Sequence, residues 1–179
     1  MNVGEPVKFS FTGKALSRAE DTAITPVYET TKVFEWKDIT ALTINGEDVK
    51  CAIESLNIEY ANNLNVFHGL CSVEPSQMYV ENSTVEGSLK AYLTDEIEDL
   101  KDVFLDKDNV EIVITLVQST TIGNASNNTL QITLPKVNLN TYTHPIDTSY
   151  VAVESDIIGA SDSTDGLIKI KLINEVNAY

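Results

Sequence analysis

Arginine is almost missing from this chain: Arg18 is the only one in 179 residues. A protein that grips duplex DNA needs Lys and Arg to neutralise phosphates, and Arg to read guanine edges. Here 12 bases stand against 27 acids, a formal net charge of -15, so direct nucleic-acid grip is not expected. The acids supply solubility or, in a sharper reading, a surface that repels polyanions. Long apolar runs are missing too. Nothing approaches the ~20 residues of a membrane span, and the start "MNVGEPVKF" lacks the basic region and apolar stretch of a signal peptide. A soluble, unsecreted protein without a membrane partner is expected.

Motifs for catalysis and ligand binding are equally sparse. Cys51 and Cys71 have no CxxC spacing and no histidine cluster nearby, so buried thiols are expected, not a disulfide or a zinc site. His68 and His144 are the only histidines, and "HPID" sets Asp147 three residues after His144. Without a G-x-S-x-G elbow, a plain loop histidine is expected. The run "DKDNVE" at 106–111 lacks the glycine and terminal glutamate of an EF-hand loop and reads as a solvated turn. P-loop, GxGxxG and an aromatic stacking platform are all absent. The sequons at Asn82, Asn124 and Asn127 read as polar loop residues in an unsecreted chain. No enzyme, metal or cofactor is expected.

What the chain does have is strand signal. Hydrophobic residues make up 42% and charged residues 22%, the composition of one globular domain, taken as 1–179. "VKFSF", "PVYE" and "KVFEW" are short candidates, and Asn45-Gly46 between β-prone runs marks a hairpin. "SLNIEY" alternates Leu56, Ile58 and Tyr60 with polar residues. "VEIVITLVQ" is apolar at Val110, Ile112, Ile114 and Leu116, and also at Val113 and Val117, which predicts cover on both faces. "TLQITLPKVNL", "YVAVESDII" and "GLIKIKLI" follow, the last with Ile168, Ile170 and Leu172 facing inward against Lys169 and Lys171.

Residues 85–104, "VEGSLKAYLTDEIEDLKDVF", change period halfway. Val85, Gly87, Leu89, Ala91 and Leu93 alternate as in a half-buried strand. From Ile97 the spacing is helical: Ile97, Leu100 and Phe104 share one face, while Glu98, Asp99, Asp102 and Asp106 point the other way. A helix is predicted from about 95 to 105, with Thr94 or Asp95 as its cap and Asp95, Glu96 and Glu98 at the positive end of its dipole. The count is about nine strands and one helix. The fold class is mainly β: an antiparallel β-sandwich or partly closed barrel with one short flanking α-helix that closes an open flank. Residues 61–84 show no clear period, and they carry too much apolar surface for a disordered loop.

The order of elements resembles the tail tube proteins of tailed bacteriophages. The likeness rests on a strand ending near Asn62 or Asn63, a long loop, and a strand with Val85, Gly87 and Leu89. A short helix follows, then Leu134, Pro135 and Val137, and a C-terminal pair ending at Asn174. It covers roughly residues 34–174, with 1–33 matching less well. The resemblance implies a structural protein of the virion tail, made in the host cytoplasm. Its subunits would form stacked hexameric rings, a tube with an acidic channel through which DNA passes without specific binding, in company with other tail proteins. The long loop would reach a neighbouring subunit or ring; its own apolar content makes Phe67, Leu70 and Tyr79 the expected anchors, the alternative being that part of the loop folds back on its own sheet. A tail terminator or an injection-system tube would share much of this fold. The competing class is a monomeric β-sandwich binding module of adhesin or carbohydrate-binding type. Such a module would usually show a secretion signal and an aromatic platform, whereas aromatics here are 7% and Trp36 is the only tryptophan.

Overall fold

Asn45 and Gly46 turn the first hairpin at φ of 51° and 86°, the left-handed values that a two-residue hairpin loop demands. They join β1 (Ile39–Ile44) to β2 (Glu47–Asp48). The Asn45 side-chain oxygen accepts from the Glu111 N–H at 3.0 Å, which ties the turn to a strand far along the chain. The structure, a computed structural model, describes residues 10, 33–68, 70, 77–106, 108–122, 126–145 and 151–174. "PVYE" and all of "VKFSF" except Ser10 lie outside them. Among the described residues of "KVFEW", only Glu35 forms a β-bridge where a strand was expected, and Trp36–Asp38 make a 3-10 turn, held by the Glu35 N–H donating to Asp38 at 2.9 Å.

The remaining elements are β3 (Ile53–Ala61), β4 (Leu64–Phe67), β5 (Gln77–Val80), β6 (Thr84–Tyr92), α1 (Asp95–Asp106), β7 (Asn109–Ile122), β8 (Ser126–Leu139), β9 (Ala152–Gly159) and β10 (Lys169–Ile173). One antiparallel sheet runs β2-β1-β7-β8-β9-β6-β3, with β10 also on β8. Its inward residues form a single core that includes Leu42, Leu56, Leu89, Ile114, Leu134 and Ile157. Leu42 of β1 and Leu56 of β3 also line one cleft, so the sheet curls until these two strands face each other. The fold is mainly β, one curled eight-stranded sheet with a short helix.

The 14-residue β8 organises this sheet. One edge pairs β7 along its length, with Ile112, Ile114 and Leu116 opposite Leu134, Ile132 and Leu130. The other edge is shared, with 129–133 pairing β10 and 137–139 pairing β9. Between them sits Pro135, where the ladder to β7 shifts register. A residue without an N–H fits a bulge at a fork.

The switch from strand to helix occurs as its period predicts. Ile97 and Leu100 are buried and Phe104 is half-buried, while Glu98, Asp102 and Asp106 are exposed. The Thr94 carbonyl accepts from the N–H groups of Ile97 and Glu98 at 3.1 and 2.9 Å. Its hydroxyl is buried without a hydrogen-bond partner, so the expected Thr94 side-chain cap is not made. The Phe104 ring stacks on Tyr142 at 5.9 Å, and the Tyr142 hydroxyl donates to the Ile97 carbonyl at 3.4 Å. Burial, then the nearby charges of Glu98 and Asp102, raise the pKa of Tyr142, which keeps it a donor.

Other expectations are corrected. Cys51 is an exposed free thiol, because it falls in the turn between β2 and β3 and not on a core-facing strand position; Cys71 lies outside the described residues. Residues 61–84, expected to be a loop without strands, contain β4 and β5, paired Leu64 to Val80 and Phe67 to Gln77. Most unexpectedly, Ile170 and Leu172 of β10 are 59% and 49% exposed. They do point to the core side, opposite Ile132 and Leu130, but β10 lies beyond the part of the sheet that curls over the core.

Candidate assembly surfaces

Residues opposite each other in an antiparallel pair share a face, so register sorts the outer surface into rows. Across β3, β6 and β9 the rows are Asn57-Ser88-Asp156 and Glu59-Glu86-Ile158, with Lys90 opposite Ser55 and Glu154. Lys90 bridges Glu54 at 3.3 Å and Glu154 at 3.7 Å. The face therefore carries Glu54, Glu59, Glu86, Glu154 and Asp156 against Lys90, a net negative wall. Asp156 is fixed by the Thr141 hydroxyl, which donates to its carboxylate at 3.1 Å and accepts its N–H at 2.8 Å.

Across β1, β7 and β8 the outward rows have a different chemistry. Thr43-Val113-Thr133 and Ala41-Thr115-Gln131 carry no charge, and all six residues are half-buried. The expected second cover for Val113 and Val117 is thus partial. Lys169 and Lys171 of β10 extend this face beside Thr133 and Gln131.

The third surface is the β4–β5 hairpin, an arm that continues the β3–β6 pair. The chain bends between them at Asn63, whose φ is 44°. Its side-chain amide donates to the Asn82 carbonyl at 2.7 Å, and the Glu81 N–H donates to the Asn63 carbonyl at 3.1 Å. Phe67 and Tyr79 share one face of the arm, diagonal across the register, and both are exposed, as is Leu70 beyond β4. Tyr79 also donates to the side chain of Gln77. Of the predicted anchors, Phe67 and Tyr79 therefore share a face of the arm and Leu70 follows β4 in the chain, while Ile97, Leu100 and Phe104 are carried by the helix, the first two buried and the third half-buried.

A cleft of about 350 Å³ opens between β1 and β3, lined by Trp36, Leu42, Ile53, Leu56, Tyr92 and Cys51. No group of three or more His, Cys, Asp or Glu residues among the described residues is placed to hold a metal. His144 is exposed and packs edge-on against Tyr142 at 4.9 Å; Asp147 lies outside the described residues. The sequence reading missed the buried cross-strand pair in which Asn128 donates to Gln118 at 3.1 Å, for which no local signal exists.

No curated protein sequence matches the chain. Among solved structures it is similar to a chain of the virion of a native gene transfer agent particle, with 13% identity over 75% of this chain and 96% of that one, TM-score 0.46. It is similar also to a chain of the tail of an empty gene transfer agent particle with C6 symmetry, with 10% identity over 72% and 86%, TM-score 0.42. The third is an Hcp protein, with 10% identity over 64% and 74%, TM-score 0.34. The family model described as phage tail tube protein matches residues 1–162, nearly the whole chain, and the chain belongs to the phage tail tube protein family, a structural component of the virion tail and not an enzyme.

Proposed function

We propose that subunits assemble as hexameric rings stacked into a tube, with the wall of β3, β6 and β9 facing the channel through which DNA passes. The observation that supports this orientation is the contrast between the two outer faces. A channel that carries a polyanion without holding it needs acids that phosphates cannot grip, and Glu59, Glu86, Glu154 and Asp156 supply them. The neutral Thr and Val face suits contact with other protein. The β4–β5 arm, with Phe67, Leu70 and Tyr79 exposed, is the contact element to a neighbouring subunit, since exposed apolar patches mark association surfaces.

Electron microscopy of the purified protein tests the reading. Stacked six-membered rings with this acidic face inside are the expected result. Rings that do not stack would indicate a terminator-like role. A lumen lined mainly by lysine, or tight duplex binding at moderate salt, would overturn the channel assignment.

A further inference from the structure

We infer that Lys90 is a masked cation in the wall of β3, β6 and β9: Glu54 and Glu154 hold it from two sides, so that it cannot take hold of the phosphates of passing DNA. This rests on the channel reading above and names the residues on which free passage depends. Lys90 is the only base on these three strands, beside the acids Glu54, Glu59, Glu86, Glu154 and Asp156. It stands on the middle strand, opposite Ser55 of β3 on one side and Glu154 of β9 on the other. Ile53 pairs with Ala91 and Leu56 with Leu89, so Glu54 and Ser55 together oppose Lys90. In a regular strand neighbours point to opposite faces, and Glu54 would turn toward the core side. The extra residue of a bulge re-aims it. Its carboxylate meets the Lys90 ammonium at 3.3 Å, and that of Glu154 does so at 3.7 Å.

Counterion exchange decides what a lysine does near DNA. A free ammonium binds phosphate because it releases salt ions from the duplex. Lys90 already has two carboxylates for counterions, and trading them for a phosphate would leave both acids bare beside the polyanion. Its side chain is 33% exposed, against 58% for Lys169 and 62% for Lys37, each of which is bridged to one carboxylate. Ion pairs this close to solvent add little stability, so folding alone gives no reason for two of them on one lysine. Control of the wall's charge does.

Tubes of the wild type, of Glu54→Gln/Glu154→Gln, and of the same pair with Lys90→Met test this. Each is assembled in the presence of a short fluorescent DNA duplex, sedimented and washed at low salt. The wild type should retain almost no DNA. Unmasking Lys90 should raise the retained DNA about tenfold or more, in a form that high salt releases, and adding Lys90→Met should return it to the wild-type level. Double-variant tubes that retain no more than the wild type overturn the inference. So does equal retention with and without Lys90, which would make the loss of acids the whole cause. If the double variant does not assemble, Glu154→Gln alone removes the longer bridge and is read by the same criteria, with a smaller rise. Failure of both to assemble would give the bridges a structural role and overturn the inference too. Electron microscopy of the same tubes separates the two readings: with β3, β6 and β9 on the lumen and no dependence on Lys90, this inference alone fails, whereas with that wall outside the lumen the channel assignment fails as well. A wild type that forms no tubes removes both.

Discussion

β8 and β10 are neighbours with the same alternation and opposite fates. Leu130 and Ile132 are buried at 5% and 7% exposure, while their register partners Leu172 and Ile170 stand in solvent. Alternation decides only which side of a sheet a residue faces; burial depends on whether another layer lies over that side. β8 has one over it because the sheet curls back across its core face, whereas β10 branches off outside the curl.

The sharpest break of this comparison uses one register pair. Ile132→Ala should lower unfolding free energy by about 2–5 kcal/mol, and Ile170→Ala should stay within about 0.5 kcal/mol, both read from urea unfolding of the monomer. Similar losses at the two sites would mean that β10 is covered. Next in size is Gly87→Ala, at about 1–3 kcal/mol: an added Cβ would run into the Asn57 carbonyl oxygen and lie 3.1 Å from Ile157 Cγ1, where β6 packs between β3 and β9.

How much of this was legible follows from where the information sits. The Asn45-Gly46 turn, the β6-to-α1 switch and the inward row of β7 are written in adjacent residues, and sequence showed them. β4 and β5 are four residues each, too short for a period to emerge. The exposure of Ile170 and Leu172 is a property of the layer above and leaves no local trace. Tyr142 reaches the helix from 45 residues beyond Ile97, a distance at which pattern says nothing. Of the candidate site, the anchors Phe67, Leu70 and Tyr79 were suggested by surplus apolar content, and the structure exposes all three.

The helix offers the same contrast on a smaller scale. Leu100 is buried and Leu105 exposed on one element. Leu100→Ala should lower the thermal midpoint clearly, and Leu105→Ala should leave it near wild type; equal effects would mean that α1 packs on another face.

The smallest effect concerns the approach to β10. Lys136, beside the fork, holds Asp162 at 2.9 Å. That bond, with the N–H groups of Thr164 and Asp165, lowers the Asp162 pKa to about 2. A carboxylate whose pKa is depressed on folding stabilises the fold above its unfolded value, near 3.8, and that contribution is lost as pH falls toward about 2. Asp162→Asn should therefore lower the midpoint slightly at neutral pH, with the difference fading between about pH 4 and pH 2. A difference independent of pH would assign the effect to the turn and not to the ion pair.

Pro135 has a bearing on how the chain finds its alignment. With Lys136 it stands opposite Glu111, between the pairs Leu134–Ile112 and Val137–Val110. A slip of β8 by one residue would bring the imino acid into a position that needs an N–H and would turn Leu130, Ile132 and Leu134 away from the core. Because β9 and β10 both take their register from β8, the same slip would misplace two more strands. Pro135 thus acts as an index mark. It rejects a misaligned β7–β8 hairpin while that error is still local, before the slow long-range pairings of β1 and β9 are built on it.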